Sequence, residues 1–378
     1  MLANSMSDNL SAPSYIRGIE PYKAGKPISE LAREKGLQPE NILKLASNEN
    51  PLGAPESALQ AVREAATAHN VALYPDGNAY NLKHAIAKRL GVPAEWIIVG
   101  NGSDELMGLT CEALLEPGAK SVYSQFYFSV YRIDTLACGG TPVEVPAKGF
   151  AIDLDAIAKA VTPEVRVVFL TTPNNPTGLT ISQADFEAFL GKIPPSVTVV
   201  LDEAYREFVP EEDRIDSIAL VKKYPNLFVT RTFSKAYGLA GLRVGFGVNS
   251  GELPELVNRI RPPFNCNTLA QAAAAGCVND QAFLDRVYEM NRSGVKQLED
   301  GFSSLNLEFV PTKSNFVLVH IGPKAAELNQ ALLDRGIIIR PCASFGLPEW
   351  IRVSVGTADQ NERFLAALKE LLAKLSAA

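Results

Sequence analysis

The chain has 378 residues, 47% of them hydrophobic and 21% charged, with a formal net charge of −6 at pH 7. That length predicts about two to three packed domains, and the acidic surplus excludes nucleic acid and anionic membrane as main partners, since both need a basic surface. The five cysteines (Cys111, Cys138, Cys266, Cys277 and Cys342) contain no CxxC pair, which points to reduced thiols in a cytoplasmic protein rather than a disulfide framework or a metal site.

In chain order, residues 1–11, MLANSMSDNLS, are polar and read as an unpacked end, with Met6 an alternative start. No apolar core of a signal peptide and no uncharged apolar run of about 18 residues occurs, so neither secretion nor a membrane span is expected. VGNGSDEL ends a strand with Gly100 and Gly102 and opens a helix through Ser103 and Asp104, where free backbone amides can hold an anion. Three β-branched runs follow, VRVVFL (165–170), VTVVL (197–201) and NLFVT (226–230), of the kind buried on both faces of a parallel sheet. Each leads into polar loop residues, TTPNNPTG, DEAYREF and RTFSK. Between the first two runs, SQADFEAFLGKI has helical periodicity behind Ser182 as a cap, so a βαβ unit is expected. Ligands in such sheets sit beyond the carboxyl ends of the strands.

RPPFNCN (261–267) interrupts helix and strand through Pro262 and Pro263. Beyond it a helical stretch covers 268–304, followed by strands at FVLVH (316–320), IIIR (337–340) and WIRVSV (350–355). Thr357 with Gln360 forms a capping-box pattern before the last helix. This order predicts an α/β large domain over 47–265 and a smaller α+β domain built from 266–378 together with the N-terminal segment 1–46.

TFSKAYGLAGLRVGFG (232–247) sets Lys235 among small and apolar residues, with Arg243 eight positions later. By itself Lys235 reads equally as a structural lysine that snorkels to the surface. Asp202 ends an apolar strand, where a carboxylate is costly to bury without a cationic partner, and any nearby lysine would serve. GNGSDE lacks the third glycine of a dinucleotide fingerprint and is also an ordinary helix cap. Taken together, an anion cradle, a buried carboxylate and an amine suit a phosphorylated pyridine aldehyde, pyridoxal 5'-phosphate.

Seven stretches in order, SNENPLG (47–53), YPDGNAYNLK (74–83), GNGSDEL (100–106), PNNPTG (173–178), DEAYREF (202–208), TFSKAYGLAGLRVGFG (232–247) and IRVSVG (351–356), resemble class II aminotransferases of PLP fold type I, the histidinol-phosphate aminotransferases most of all. The resemblance begins at YIRGIEPYKAGKP (15–27) and covers nearly the whole chain. It implies a large domain with a mostly parallel seven-stranded sheet flanked by helices, a smaller α+β domain, and a homodimer. It implies that Lys235 carries the cofactor and moves the substrate proton, that Asp202 pairs with the ring nitrogen, and that Tyr205 and Asn175 reach the ring 3-oxygen. Gly102, Ser103, Asp104, Thr232, Ser234 and Arg243 correspond to the phosphate site, Phe128 to the aromatic stacked on the ring, and Tyr74 to a tyrosine that reaches the partner subunit's cofactor. Packing alone remains the other reading of Tyr74. Tyr22, Arg340 and Arg352 correspond to residues that grip an anionic substrate; an ion-pair role stays open for Arg340. Asn50 is a candidate pocket residue or a plain turn former.

Two arginines suit a phosphate, which favours L-histidinol phosphate and 2-oxoglutarate as substrates. The alternatives are aromatic amino acid transamination, a lyase or decarboxylase of this fold, and a regulator without catalysis. SQFYFSVY (124–131) lacks the proline common before the stacking aromatic, and the unassigned loop PCASFGLPE (341–349) is a candidate for setting substrate choice.

Overall fold

The structure, a computed structural model, describes residues 10–377; of the polar N-terminal stretch, residues 1–9, Met6 among them, lie outside the described residues. A seven-stranded sheet organises the larger unit. Its strands are β1 (Ile97–Gly100), β2 (Lys120–Ser124), β3 (Thr141–Val145), β4 (Val165–Thr171), β5 (Thr198–Asp202), β6 (Leu227–Thr232) and β7 (Gly245–Val248). Across the sheet they run β1-β7-β6-β5-β4-β2-β3. Only β7 is antiparallel to its neighbours; the other pairings are parallel.

The β-branched runs that announced β4, β5 and β6 are continuous because both faces of the sheet are covered. Val168, Val199, Leu201 and Val229 point into one core. Phe169, Val200 and Phe228 point into the other. The helix expected behind Ser182 spans Gln183–Leu190, and the Ser182 side chain accepts from the Asp185 N–H, satisfying one of the free donors of the first turn.

The smaller unit is an antiparallel sheet of β8 (Phe309–Val310), β9 (Phe316–His320), β10 (Arg340–Pro341) and β11 (Trp350–Ser354), in the order β10-β11-β9-β8. The expected single strand IIIR is divided. Ile337–Ile338 pairs in parallel with Leu43–Lys44, whereas Arg340–Pro341 joins β11. Pro341 has no N–H to donate, which restricts it to an edge strand, and β10 is an edge.

The helical stretch 268–304 is also two helices, Thr268–Cys277 and Gln281–Ser304, because Asp280 turns out of the helix and caps the second one at the Phe283 N–H. The core of the larger unit runs past residue 265, through Ala270, Ala273, Phe283 and Val287. Farther along the same long helix, Leu298 and Phe302 enter the core of the smaller unit. The N-terminal segment packs with the smaller unit: Leu43 and Leu45 join that core, and Leu31, Ile42 and Ala46 pack on Leu333 and Ile338. The capping box before the last helix, Ala358–Ala377, is formed in both directions between Thr357 and Gln360. Among the described residues no helix is long and apolar enough to cross a membrane, and no His, Cys, Asp and Glu group is arranged to hold a metal ion. All five cysteines are free.

Candidate active site

The carboxyl ends of the parallel strands open into a cavity of 490 Å³ roofed by the smaller unit. Its wall brings together every expected site residue except Gly102, Asn50 and Tyr74. Asn50 is fixed as a turn former, its amide donating to the Ala236 carbonyl at 2.8 Å and its oxygen accepting from the Leu52 N–H. Tyr74 is 82% exposed and stacks on Phe264, with ring centroids 4.7 Å apart, away from the cavity of its own chain.

Asp202 is buried at the end of β5, in register with Thr171 of β4 and Thr230 of β6. It accepts from the Ala204 N–H at 3.1 Å, from the Thr230 hydroxyl at 3.3 Å and from the Tyr131 hydroxyl at 3.5 Å. Burial raises its pKa to about 7, against the lowering effect of the first two of these hydrogen bonds. A carboxyl so placed favours a cationic partner such as a protonated ring nitrogen.

Lys235, just beyond β6, donates from Nζ to the Ser47 carbonyl at 2.9 Å and stands 5.8 Å from the centre of the Tyr205 ring. Burial first, then repulsion from Arg352 and Arg243, lowers its pKa to about 8. An amine tuned this way is available as nucleophile and base near neutral pH. Tyr205 is also buried, and its pKa is pushed up to about 12 by burial, partly opposed by Arg352 and Asn48.

The anion cradle is built by close backbone approach. Gly102 has φ +90°, and a Cβ there would lie 2.6 Å from Arg243 Nη2; a Cβ on Gly245 of β7 would lie 2.4 Å from the Ser103 nitrogen. These two glycines let the first turn of helix Ser103–Leu114 sit against β7 with the Arg243 guanidinium beside it. Arg243 Nη1 donates to the Ser234 hydroxyl at 3.2 Å, and the Thr232 hydroxyl accepts from the Ser234 N–H at 3.1 Å. Helix amides, two hydroxyls and a guanidinium around one point suit a phosphate dianion.

Across the cavity, Arg340 of β10 and Arg352 of β11 are directly paired in register. Arg352 is 5% exposed, donates to Asn175 Oδ1 and to the Ala46 carbonyl, and leaves its buried Nε without a partner. Burial lowers its pKa. Arg340 donates to the Lys23 carbonyl and lies against the rings of Tyr22 and Phe345. Phe128 meets Tyr22 edge-on at 6.1 Å. Phe345 belongs to the unassigned loop 341–349 and lines the cavity.

Two residues escaped the sequence reading. Asn48 lies inside SNENPLG, is 1% exposed, and has φ +55°, a conformation asparagine tolerates better than most residues. Its amide donates to the Tyr205 hydroxyl at 3.0 Å. Tyr131, three residues after Phe128, links the Thr171 hydroxyl to Asp202; its only signal was an aromatic at the end of SQFYFSVY.

The residues present therefore fit pyridoxal 5'-phosphate, with a carboxyl for the ring nitrogen, an amine of lowered pKa and an anion cradle. The family described as aminotransferase class I and II matches residues 40–368. Histidinol-phosphate aminotransferase 1 of Cupriavidus pinatubonensis is 50% identical over 95% of this chain and 96% of its own. Histidinol-phosphate aminotransferase 2 of Ralstonia nicotianae is 50% identical over 97% and 98%. The crystal structure of histidinol-phosphate aminotransferase from Sinorhizobium meliloti in complex with pyridoxal-5'-phosphate superimposes with a TM-score of 0.86 at 28% identity, covering 98% of this chain and 99% of that one. A double mutant of Thermus thermophilus aspartate aminotransferase shares the fold, with a TM-score of 0.82 at 23% identity over 96% and 99%. On both sequence and structure, the chain belongs to the class I and II aminotransferase family.

Proposed function

We propose that the protein transfers the amino group of L-histidinol phosphate to 2-oxoglutarate, giving imidazole-acetol phosphate and L-glutamate in histidine biosynthesis, with pyridoxal 5'-phosphate as cofactor. The observation that carries this reading is the register of Arg340 opposite Arg352 in the cavity wall. Like charges directly opposed across an antiparallel pair are destabilising, and a doubly charged phosphate answers both. The two relatives at 50% identity bear the same activity in their names.

The bound cofactor supplies an electron sink that lets the substrate Cα–H bond break. Lys235 Nζ would hold the cofactor and, once the substrate amine has displaced it, would be the free amine that takes the Cα proton. Asp202 keeps the ring nitrogen protonated, with Tyr131 behind it. Asn175 gives its oxygen to Arg352, which leaves its amide, with the Tyr205 hydroxyl, for the ring 3-oxygen. Phe128 would face the ring, and Ser103, Asp104, Thr232, Ser234 and Arg243, with Gly102 making room, would hold the cofactor phosphate. Arg340, Arg352 and Tyr22 hold the anionic end of each substrate.

A second copy of the chain is the partner. Val71, Leu73, Tyr74, Tyr80 and Phe264 are 67, 55, 82, 60 and 44% exposed, more apolar side chain than an isolated protein usually leaves to water. Tyr74 then serves the cofactor of the other subunit. We place the division between the domains inside helix Gln281–Ser304, where one core gives way to the other, and the protein in the cytoplasm, where its five thiols stay reduced.

Steady-state kinetics with L-histidinol phosphate, phenylalanine and tyrosine as amino donors test the reading. The expected result is the highest kcat/KM for histidinol phosphate; a preference for phenylalanine would overturn it in favour of aromatic amino acid transamination.

A further inference from the structure

Directly behind the cofactor pocket lies an ion pair that the chemistry above does not use. Alternation along an extended backbone sends neighbouring side chains to opposite faces of a sheet. Asp202 and Thr232 therefore face the cavity, while Glu203 and Arg231, the residues next to them, face the other way. Glu203 Oε2 accepts from Arg231 Nε at 2.8 Å and from the Ser217 hydroxyl at 2.9 Å, and Arg231 Nη2 donates to the same hydroxyl at 3.1 Å. Arg206 Nε lies 3.5 Å from the same carboxylate oxygen. The Glu203 and Arg231 side chains are 2% and 11% exposed.

A buried ion pair is weak evidence for stability, because desolvation offsets most of the attraction; its better attested use is to fix register. Here the register it fixes is between the carboxyl ends of β5 and β6, one residue from Asp202 on one strand and one residue from Thr232 on the other. The Glu203 N–H continues the ladder to the Thr230 carbonyl at 2.9 Å. The closed triangle of Glu203, Arg231 and Ser217 adds side-chain ties between the two strand ends to those of the backbone ladder.

We propose that the Glu203–Arg231 pair, with Ser217, is a positioning device for the active site, setting the distance between Asp202 on one strand and the Thr232–Lys235 segment on the other. The proposal rests on the reading of Asp202 and Lys235 as cofactor partners. The substrate arginines sit on the smaller sheet, away from this pair, so a disturbed pair alters the chemical step and cofactor hold but not substrate capture.

The test compares Glu203→Gln, Arg231→Lys and the double variant Glu203→Met/Arg231→Leu as cofactor-loaded enzymes. Four quantities are read: kcat and KM separately, the visible absorbance band of the lysine-bound cofactor, the rate of cofactor release on dialysis, and Tm. For Glu203→Gln and Arg231→Lys we expect kcat to fall about tenfold or more with KM for the amino donor changed by less than about twofold, a shifted band and faster release. The apolar double variant separates positioning from stability, because replacing a buried pair by apolar residues is often neutral for stability. It should lose less Tm than Glu203→Gln or Arg231→Lys, although Arg206 also loses the Glu203 carboxylate, yet retain the defects in kcat and band.

If the double variant recovers the parental band and kcat along with Tm, the pair is only structural and the proposal is wrong. Should the double variant not fold, Arg231→Lys decides. It keeps the charge but loses the planar fork that presents Nε to Glu203 and Nη2 to Ser217, and an unchanged band, release rate and kcat would overturn the proposal. A parent enzyme with no lysine-bound band at all defeats the underlying cofactor reading instead, a different and recognisable failure.

Discussion

The amide of Asn48 donates to the hydroxyl of Tyr205 at 3.0 Å, tying SNENPLG to the loop that follows β5. Asn48 is held in turn by Ser354 of β11, which donates to its Oδ1 and accepts from its N–H, and by the Asn315 amide at its carbonyl. One asparagine thus connects SNENPLG, the smaller sheet and a tyrosine of the cavity wall.

Asn48→Ala removes the partner of the buried Tyr205 hydroxyl and places alanine at φ +55°. Stranding a buried polar group costs about 1–3 kcal/mol, so chemical denaturation should show a loss of that order. Asn48→Gly, which accepts the backbone conformation, should recover part of the stability but not activity. Activity restored in Asn48→Gly would mean that the amide has no role at Tyr205.

Lys235→Ala should lose the visible band of lysine-bound cofactor while still retaining pyridoxal 5'-phosphate, because the anion cradle around Arg243 is untouched. Turnover should fall by several orders of magnitude, as expected when nucleophile and base are one group. Absorbance spectra and single-turnover assays check both points, and a variant with its band intact would reassign the attachment site.

The pH dependence of stability follows from Asp202. Burial carries its folded-state pKa from the ordinary 3.8 to about 7, so the fold prefers the neutral acid. The destabilising effect of ionisation is absent at low pH, grows as pH rises from about 3.8, and is complete above about 7. Asp202→Asn should therefore stabilise the cofactor-free protein above pH 7, by on the order of 2–4 kcal/mol, and have no effect near pH 4. The same change should abolish transamination. Thermal unfolding of both proteins across pH 4–9 reads the difference, and a stability gain that is equal at both ends of the range contradicts the linkage.

Arg340 and Arg352 should separate in kinetics. Arg352 reaches Asn175 and the Ala46 carbonyl from a buried position, whereas Arg340 sits at the edge of the cavity on Tyr22 and Phe345. Arg340→Gln should raise KM for histidinol phosphate about tenfold to a hundredfold, the loss expected for charged hydrogen bonds, with little change for unphosphorylated histidinol. Arg352→Gln should raise KM for 2-oxoglutarate as well. Equal effects of Arg340→Gln on both donors would remove it from the phosphate site.

Strand runs, their order and the chemistry at their ends were legible in the sequence because each is a local pattern. A parallel strand buried on both faces reads as a near-continuous apolar, largely β-branched run, and a cap such as Ser182 or Thr357 marks a helix start. Lys235, Asp202 and Arg243 stood out because charges in apolar surroundings are costly unless used. The seven ordered motifs carried the family for the same reason, since each is a short stretch whose residues act together. The tertiary structure alone decided what depends on partners distant in sequence. It split IIIR between two sheets, Ile337–Ile338 pairing with Leu43–Lys44 and Arg340 with Arg352. It turned Tyr74 away from its own cavity and fixed Asn50 in a turn. It brought Asn48 to Tyr205, Tyr131 to Asp202 within the larger unit, and Arg340 opposite Arg352 within the smaller sheet, contacts set by chain topology and strand register and not by any local preference.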